Sequence, residues 1–425
     1  MNMAATPLAD WLARLETLSP TEIDLGLERV VQVLDRLALP RPATVLHIAG
    51  TNGKGSSVAM LESLLQQTGS RVGSYTSPHV IRYNERIRVN GRDASDDLIV
   101  AAFERVEAQR KGAALTYFEY GTLAALVVFA DAGVDAAILE VGMGGRLDAV
   151  NAIAADAGLI TNIALDHCDW LGDDIESIAF EKAGIMRKGE PVIFGARDVP
   201  QAILRHADAV QARLILAGRD FDWSREAEHW SWQGQAQRLE GLELPALPGD
   251  HQIGNAAAVL ALLEAAGFVE LLREDLVSES LRQLHLDGRM QRIALQATWL
   301  LDVAHNPAAA TALADTLRVE DHAGRMIAIV GMLDDKDVEG VVAPLREQVD
   351  HWIAVTADSP RAIDAHELAR RIANATNAAC LVADSLDAAI GRAGELADVD
   401  DRVLVTGSFY LVGPVLTKLY SRRQS

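Results

Sequence analysis

Residues 45–57 read V-L-H-I-A-G-T-N-G-K-G-S-S, a lysine set between two glycines where one apolar run gives way to another. Val45, Leu46 and Ile48 suit a buried parallel strand, and Val58, Leu61, Leu64 and Leu65 recur at helical spacing in a helix expected to open at Ser56. Between them the glycines let the backbone curl so that successive N–H groups face an anion, and the helix start adds unpaired amides and partial positive charge. Thr51, Asn52, Gly53, Lys54, Gly55 and Ser56 are therefore the expected phosphate cradle, with Lys54 as a mobile ammonium for the outer phosphates and Ser56 as a hydroxyl near a metal ion. The spelling departs from G-x-x-x-x-G-K-[ST], which would put glycine where Ile48 stands and Ser or Thr where Gly55 stands. An ordinary glycine-rich turn accounts for the glycines, but not for a lysine between them followed by paired serines.

Other polar residues close apolar strands. In open α/β sheets ligands lie outside the carboxyl ends of the strands, near the topological switch point, and Ser77, Glu140, His167 and Asp302 all fall at such ends. Glu140 ends V-D-A-A-I-L-E-V beside G-M-G-G-R-L-D, where a carboxylate suits Mg²⁺; a cap or a surface charge is the plainer alternative. His167, in L-D-H, reads equally as a structural hydrogen-bonder. Lys182, behind Glu181 on a helical face, reads alone as a solvated charge.

The elements that must position these residues alternate strand and helix. The first forty residues are amphipathic and helical, with Pro40 and Pro42 stopping them before the first strand. Strands are expected at 71–75, 134–141 and 157–163, helices at 95–111, 118–133 and 254–266, and a small antiparallel patch at 218–248. A second alternating unit starts near Gly288, with strands at 299–303, 326–331, 352–355, 380–382 and 403–406. The fold class is α/β: a P-loop-type, mostly parallel N-terminal ATPase domain (1–287) and a smaller Rossmann-like C-terminal domain (288–425).

At 425 residues and 49% hydrophobic, the chain can bury two cores. A formal charge of −21 argues against nucleic-acid and anionic-membrane partners, so an anionic nucleotide must be held by a local cradle and metal ions against the overall field. Two cysteines, Cys168 and Cys380, make no disulfide framework and suit a reducing cytosol. No apolar run is long enough to span a bilayer, and a soluble, cytoplasmic protein is expected.

Taken together, these stretches resemble the folylpolyglutamate synthase/dihydrofolate synthase family of ATP-dependent amide ligases, within the Mur-ligase superfamily. The motifs occur in family order: H-I-A-G-T-N-G-K-G-S, Y-T-S-P-H, R-Y-N-E-R-I-R-V, L-T-Y-F-E-Y-G-T, L-E-V-G-M-G-G-R-L-D-A, A-L-D-H-C-D-W-L-G, E-K-A-G-I-M-R, G-D-H-Q-I-G-N-A, D-V-A-H-N-P, G-M-L-D-D-K-D and T-G-S-F-Y. They cover almost the whole chain.

The resemblance implies that Thr51 to Ser56 wrap the ATP triphosphate and that Ser77 and Glu140 hold one Mg²⁺. It implies a second Mg²⁺ on His167 and Lys182, the lysine carrying a carbamate, since an ammonium cannot ligate a cation. Asn255, Arg289 and Asp302 match nucleotide contacts, and His305 would face the γ-phosphate. The pterin would meet Glu28, Arg29 and Val30, then Leu115, Thr116, Tyr117 and Phe118, then Leu147, Asp148 and Ala149. Phe118 suits ring stacking or plain core packing, and Asp148 could accept from a pterin amino group. Val150 and Cys168 depart from the family's commonest residues and bear on local substrate contacts alone. K⁺ is a further ion the resemblance admits.

The implied reaction adds L-glutamate to dihydropteroate and to reduced folates through an acyl phosphate, in a monomer whose two-domain cleft closes over ATP; the alternative is a folylpolyglutamate synthase only. The L-T-Y-F stretch resembles the bifunctional members, and residues 82–86 lie near enough to Ser77 to help a second pterin seat. A muramyl-type peptide ligase is disfavoured by the missing nucleotide-sugar domain. A non-catalytic ATP-binding regulator is disfavoured because the lysine and metal positions are all present, and a simple ATPase or kinase would leave the D-V-A-H-N-P domain without a purpose.

Overall fold

The computed structural model describes residues 8–18, 26–320 and 322–424. The helical reading of the first forty residues is met by helices Leu8–Leu18 and Glu28–Leu37; the rest of that stretch lies partly outside the described residues. The chain divides into two compact units. The first takes 1–163, 174–245 and 253–284, and the second takes 164–173, 246–252 and 285–425.

The first unit is built on an eight-stranded sheet. Its strands are β1 (Thr44–Ala49), β2 (Val72–Tyr75), β3 (Ile87–Val89), β4 (Arg92–Asp93), β5 (Ala136–Glu140), β6 (Ala157–Ile160), β7 (Pro191–Phe194) and β8 (Arg213–Leu216). The order is β4-β3-β2-β5-β1-β6-β7-β8, and all pairs from β2 to β8 are parallel. The β3–β4 hairpin, which hydrophobic periodicity did not show, is antiparallel and finishes one edge. β1 lies between β5 and β6, so the chain leaves it in opposite directions across the sheet, and that is the switch point at which a ligand crevice forms. Ile48 pairs with Glu140 and Ala49 with Ile160, which brings the exits of these three strands to one level.

The parallel strands are apolar because both faces are covered. The helix Tyr117–Ala132 is buried on nearly every side, as its continuous apolar run requires. Its Phe129 ring lies on Gly73 of β2, where a Cβ would come within 2.8 Å of the ring. Truncating such a ring to alanine costs about 3–5 kcal/mol. The helix after β1 runs Lys54–Gln66, two residues earlier than its apolar spacing suggests, so Lys54 and Gly55 stand in its first turn. The expected antiparallel patch is a three-stranded sheet of β9 (Asp222–Arg225), β10 (His229–Gln233) and β11 (Arg238–Glu243). Trp230 and Trp232 anchor it from beneath, donating their indole N–H groups to the carbonyls of Glu243 and Ala257, each at 3.0 Å.

The second unit has a six-stranded sheet of β12 (Gln291–Ala294), β13 (Thr298–Leu301), β14 (Met326–Val330), β15 (His351–Val355), β16 (Cys380–Ala383) and β17 (Arg402–Thr406), in the order β12-β13-β17-β14-β15-β16. Only β12 is antiparallel to its neighbour. β17 is central, so the loops leaving β13, β17 and β14 lie side by side. Among the described residues, no helix is long and apolar enough to cross a membrane.

Candidate active site

In the first unit the loop after β1 is fastened to the exit of β6. Thr51 N–H donates to the Asn162 carbonyl at 2.9 Å and Asn52 N–H to Asn162 Oδ1 at 3.1 Å. Thr161 Oγ1 and Asn162 Nδ2 both donate to the Asn52 carbonyl, at 2.6 and 2.9 Å. Gly50, at φ 137°, has room for no side chain, because a Cβ would fall 1.8 Å from Thr161 Oγ1. Gly53, at φ 84°, has the Asn255 amide 2.6 Å from where its Cβ would be. Asn255, expected at the nucleotide, is thus set against the phosphate loop. Thr161 and Asn162 carried no sequence signal, since they read as the end of an apolar strand.

Two ammonium groups converge on this loop. Lys54 Nζ donates to the carbonyls of Gly50 and Thr51, each at 3.2 Å. Lys182, on the helix Ile175–Ala183, donates to the same Gly50 carbonyl at 2.9 Å. Lys182 is buried rather than solvated, which decides its local reading against a surface charge. Glu140 is also buried, and its Oε2 accepts from Ser77 N–H at 3.3 Å, so it is neither a surface charge nor a helix cap.

The loop after β5 and the start of the helix Tyr117–Ala132 bring together residues expected at the pterin. The Phe118 ring covers Gly142, with a Cβ there only 2.5 Å from the ring, and lies 5.8 Å from the Tyr75 ring. Asp148 is buried, and its carboxylate accepts from Met143 N–H at 2.9 Å and Val150 N–H at 3.0 Å. Burial pushes its pKa up to about 7, although these backbone donors favour the charge. Thr116 caps the helix and Glu119 completes the box, accepting from Thr116 N–H at 2.7 Å.

Arg29 meets that same Glu119 carboxylate through Nε at 2.9 Å and Nη2 at 2.8 Å. It therefore ties the helix Glu28–Leu37 to the start of the next stretch expected at the pterin. The Val30 and Leu115 side chains lie in the core, Ala149 is buried, Glu28 is exposed, and Leu147 is half-buried. In 82–86, the Arg86 guanidinium lies over the rings of Tyr83 and Tyr117 at 5.3 and 5.5 Å and donates from Nε to His79 Nδ1 at 2.9 Å. Burial and then the Arg86 charge lower the His79 pKa to about 4.

The second unit gathers its polar groups at the exits of β13, β14 and β17. Asp302 is half-buried and accepts from Met290 and Ala304 N–H, each at 2.9 Å; desolvation raises its pKa against the pull of Arg289. The Arg289 guanidinium and the His305 imidazole both lie on the Phe409 ring, at 5.4 and 5.9 Å. His305 Nδ1 is 2.9 Å from the Val303 carbonyl, and its Nε2 is 3.4 Å from Asp166 Oδ2. Asp166 belongs to this unit through the segment 164–173, as does His167, whose backbone is left-handed at φ 53°. Phe409, Asp166, Asn306 and Lys336 all lie inside motifs read from the sequence, but none was singled out there.

Among the described residues, no cluster of three or more His, Cys, Asp or Glu side chains is able to hold a metal by itself. The Glu140 carboxylate and the neighbouring Ser77 are hard oxygen donors. Such a sparse set fits Mg²⁺, which keeps most of its shell for phosphates and water.

A phosphate loop at the switch point of a parallel sheet, joined to a second α/β unit, defines a nucleotide-binding protein with an appended catalytic module. Residues 48–263 match the Mur ligase middle domain, and residues 288–409 match the Mur ligase glutamate ligase domain. The chain is 42% identical over 421 residues to the dihydrofolate synthase/folylpolyglutamate synthase of Escherichia coli strain K12, covering 99% of this chain and 97% of that protein. A structure of E. coli FolC in complex with DHPP and ADP superposes with a TM-score of 0.93 at 41% identity, covering 100% of both chains. A bifunctional folylpolyglutamate synthase/dihydrofolate synthase with Mn, AMPPNP and L-glutamate bound gives 0.90 at 42% identity, covering 99% of this chain and 100% of that one. The chain belongs to the Mur ligase family, in its dihydrofolate synthase/folylpolyglutamate synthase branch.

Proposed function

We propose that this chain is an ATP-dependent amide ligase that adds L-glutamate to dihydropteroate, giving dihydrofolate, and to reduced folates, giving folylpolyglutamates. The observation that carries the reading is the phosphate loop, clamped to β6 and holding two lysine ammoniums, in a chain aligned almost end to end with ligases of that name. Residues 1–287 supply the phosphate cradle and the pterin contacts, and 288–425 supply the ligase part together with Arg289, Asp302 and His305.

A substrate carboxylate oxygen attacks the γ-phosphorus of ATP, ADP leaves, and an acyl phosphate remains. The amine of glutamate then attacks the acyl carbon, loses a proton and expels inorganic phosphate, leaving an amide. This asks the protein mainly for positioning and charge neutralisation. Thr51 to Ser56 hold the triphosphate, Lys54 neutralises its outer charge, and His305 faces the γ-phosphate. Asn255, Arg289 and Asp302 orient the nucleotide.

Two Mg²⁺ ions, when bound, offset the phosphate charge. Ser77 and Glu140 would hold one, and His167 with a carbamylated Lys182 would hold the other. The burial of Lys182 beside the phosphate loop supports this reading, because CO₂ addition would turn its ammonium into an anion able to ligate a cation. K⁺ is a further ion of this reading.

Asp148 accepts from the pterin amino group, and Phe118 packs on its ring; Arg29 acts through Glu119 on the stretch Leu115, Thr116, Tyr117 and Phe118. Glu28, Val30, Leu147 and Ala149 complete the pterin contacts. The enzyme works as a cytoplasmic monomer, with no nucleic-acid or membrane partner.

The test is ADP release from purified protein with dihydropteroate plus glutamate, and separately with tetrahydrofolate plus glutamate. Both should proceed, and neither should without glutamate. Turnover with tetrahydrofolate alone would reduce the function to tail extension, and glutamate-independent ADP release would discard ligation.

A further inference from the structure

We infer that Lys336 is a positioning residue for this reaction: acting through Asp166, it fixes the imidazole of His305. The inference rests on the reading of His305 as the group that faces the γ-phosphate.

Asp166 is a heavily engaged carboxylate of the second unit. Its Oδ1 accepts from Lys336 Nζ at 2.7 Å and from the backbone N–H of His167 at 2.9 Å. Its Oδ2 accepts from Asn306 Nδ2 at 3.0 Å and faces His305 Nε2 at 3.4 Å. A carboxylate offers about four lone-pair directions, and here each faces a donor or a ring nitrogen. Asp166, Asn306 and Lys336 are all buried.

The partners come from rigid parts of the unit. Asn306 is fixed by its second task, since its Oδ1 accepts from Ala309 N–H at 2.9 Å and caps the helix Pro307–Val319. Lys336 stands in the loop after β14, with Asp335 3.2 Å from its ammonium. The unit thereby holds Asp166 from two sides, and Asp166 presents its last free direction to His305. The other ring nitrogen is at the Val303 carbonyl and the Phe409 ring packs against the imidazole at a tilt, so three groups bound it.

A buried ion pair is a poor source of stability, because desolvation offsets the attraction. Lys336 and Asp166 are better explained by what they hold. Without the ammonium, the carboxylate keeps Asn306 and the His167 N–H but loses its one lysine donor, so the oxygen that faces His305 is held less firmly. No other charged group of the second unit bears on the His305 ring as closely as Asp166 among the described residues.

A double-mutant cycle tests this. Lys336→Gln keeps a donor for Asp166 and removes the charge. It should lower kcat about tenfold, the size of effect expected from weakening a buried hydrogen-bonded partner, with the KM for ATP unchanged. Ring ¹⁵N resonances of His305 should move in Lys336→Gln, while those of His47 in the first unit should not. In the His305→Ala background Lys336→Gln should cost almost nothing more, because both act at one point. Lys336→Arg should recover part of the loss. If Lys336→Gln does not fold, Asp166→Asn takes its place in the cycle with the same expectation.

Full multiplication of the two losses, or an unshifted His305 ring, overturns the inference while leaving the reading of His305 intact. A fully active His305→Ala enzyme overturns that reading, and the inference with it.

Discussion

Lys54 and Lys182 donate to the same acceptor, the carbonyl oxygen of Gly50 in the phosphate loop, at 3.2 and 2.9 Å. Two like charges close to one carbonyl repel, and a bound anion or a change of sign on one of them relieves the repulsion. On the proposed reading the nucleotide would be the first remedy and a carbamate on Lys182 the second.

Lys182→Ala should therefore lower turnover by orders of magnitude with the fold retained, and a short carboxylic acid in the buffer should restore part of it. Enzyme equilibrated with ¹³C-bicarbonate should show a carbamate carbonyl resonance that Lys182→Ala lacks. Full activity in the variant, or no such resonance, removes the carbamate from the account.

Gly50→Ala tests the clamp on the loop. Its methyl would fall on Thr161 Oγ1 at a φ of 137° that alanine rarely adopts, so the loop must move or the protein must unfold. Thr161→Val is milder, removing the hydrogen bond to the Asn52 carbonyl. It should cost about 1 kcal/mol in chemical unfolding and weaken ATP binding measurably.

How much of this arrangement could be read from the chain depends on where the information lies. The cradle, the strand behind it and Glu140 were legible because local pattern and strand-end logic name them. The β3–β4 hairpin was not, since strands of three and two residues are too short to show a period. Helix Lys54–Gln66 began earlier than its apolar spacing because loop geometry, not periodicity, sets its first turn. Thr161, Asn162 and Asp166 were missed for one reason: each matters through partners more than a hundred residues away in sequence. Lys182 would have been misread in isolation, because a charged residue behind Glu181 looks solvated until its neighbours are in place. Arg29 is named by the resemblance as a pterin contact, but its partnership with Glu119 carried no sequence signal.

Asp148 gives a pH test. Its pKa is raised to about 7 by burial, so the fraction able to accept from the pterin as a carboxylate rises as pH increases through that value. Dihydropteroate affinity should improve about tenfold between pH 6 and pH 8, following the ionised fraction. Asp148→Ala should bind weakly at both pH values with no such trend. A flat profile in the unmodified enzyme would detach Asp148 from the pterin.

His47 gives a stability test on β1, beneath the loop. Both its ring nitrogens are buried without a hydrogen-bond partner, and burial, aided by Arg187 and Arg41, lowers its pKa to about 3. The unfolded chain, with its histidine near 6.5, binds more protons between those values, so stability falls as pH drops from about 6.5 toward 3. The loss should reach about 2 kcal/mol by pH 5, at roughly 1.4 kcal/mol per pH unit. His47→Leu should flatten that part of the urea-unfolding profile, and an unchanged slope would mean that His47 does not govern it.

Phe118→Ala should harm glutamylation of dihydropteroate more than that of tetrahydrofolate. The ring lies over Gly142, next to Met143 whose N–H bonds Asp148, and on the proposed reading a short acid would seat its pterin there while a glutamyl arm would give the longer substrate other purchase. Equal losses in kcat/KM for the two acids would place both pterins in one seat.

The central claim is that a substrate carboxylate is activated by phosphorylation before glutamate attacks it. Dihydropteroate carrying ¹⁸O in both carboxylate oxygens, incubated with enzyme, ATP and L-glutamate, puts that to a direct test by mass spectrometry of the phosphate released. The account expects one ¹⁸O in each inorganic phosphate and the other in the new amide of dihydrofolate. Unlabelled phosphate, with product still formed, would contradict it.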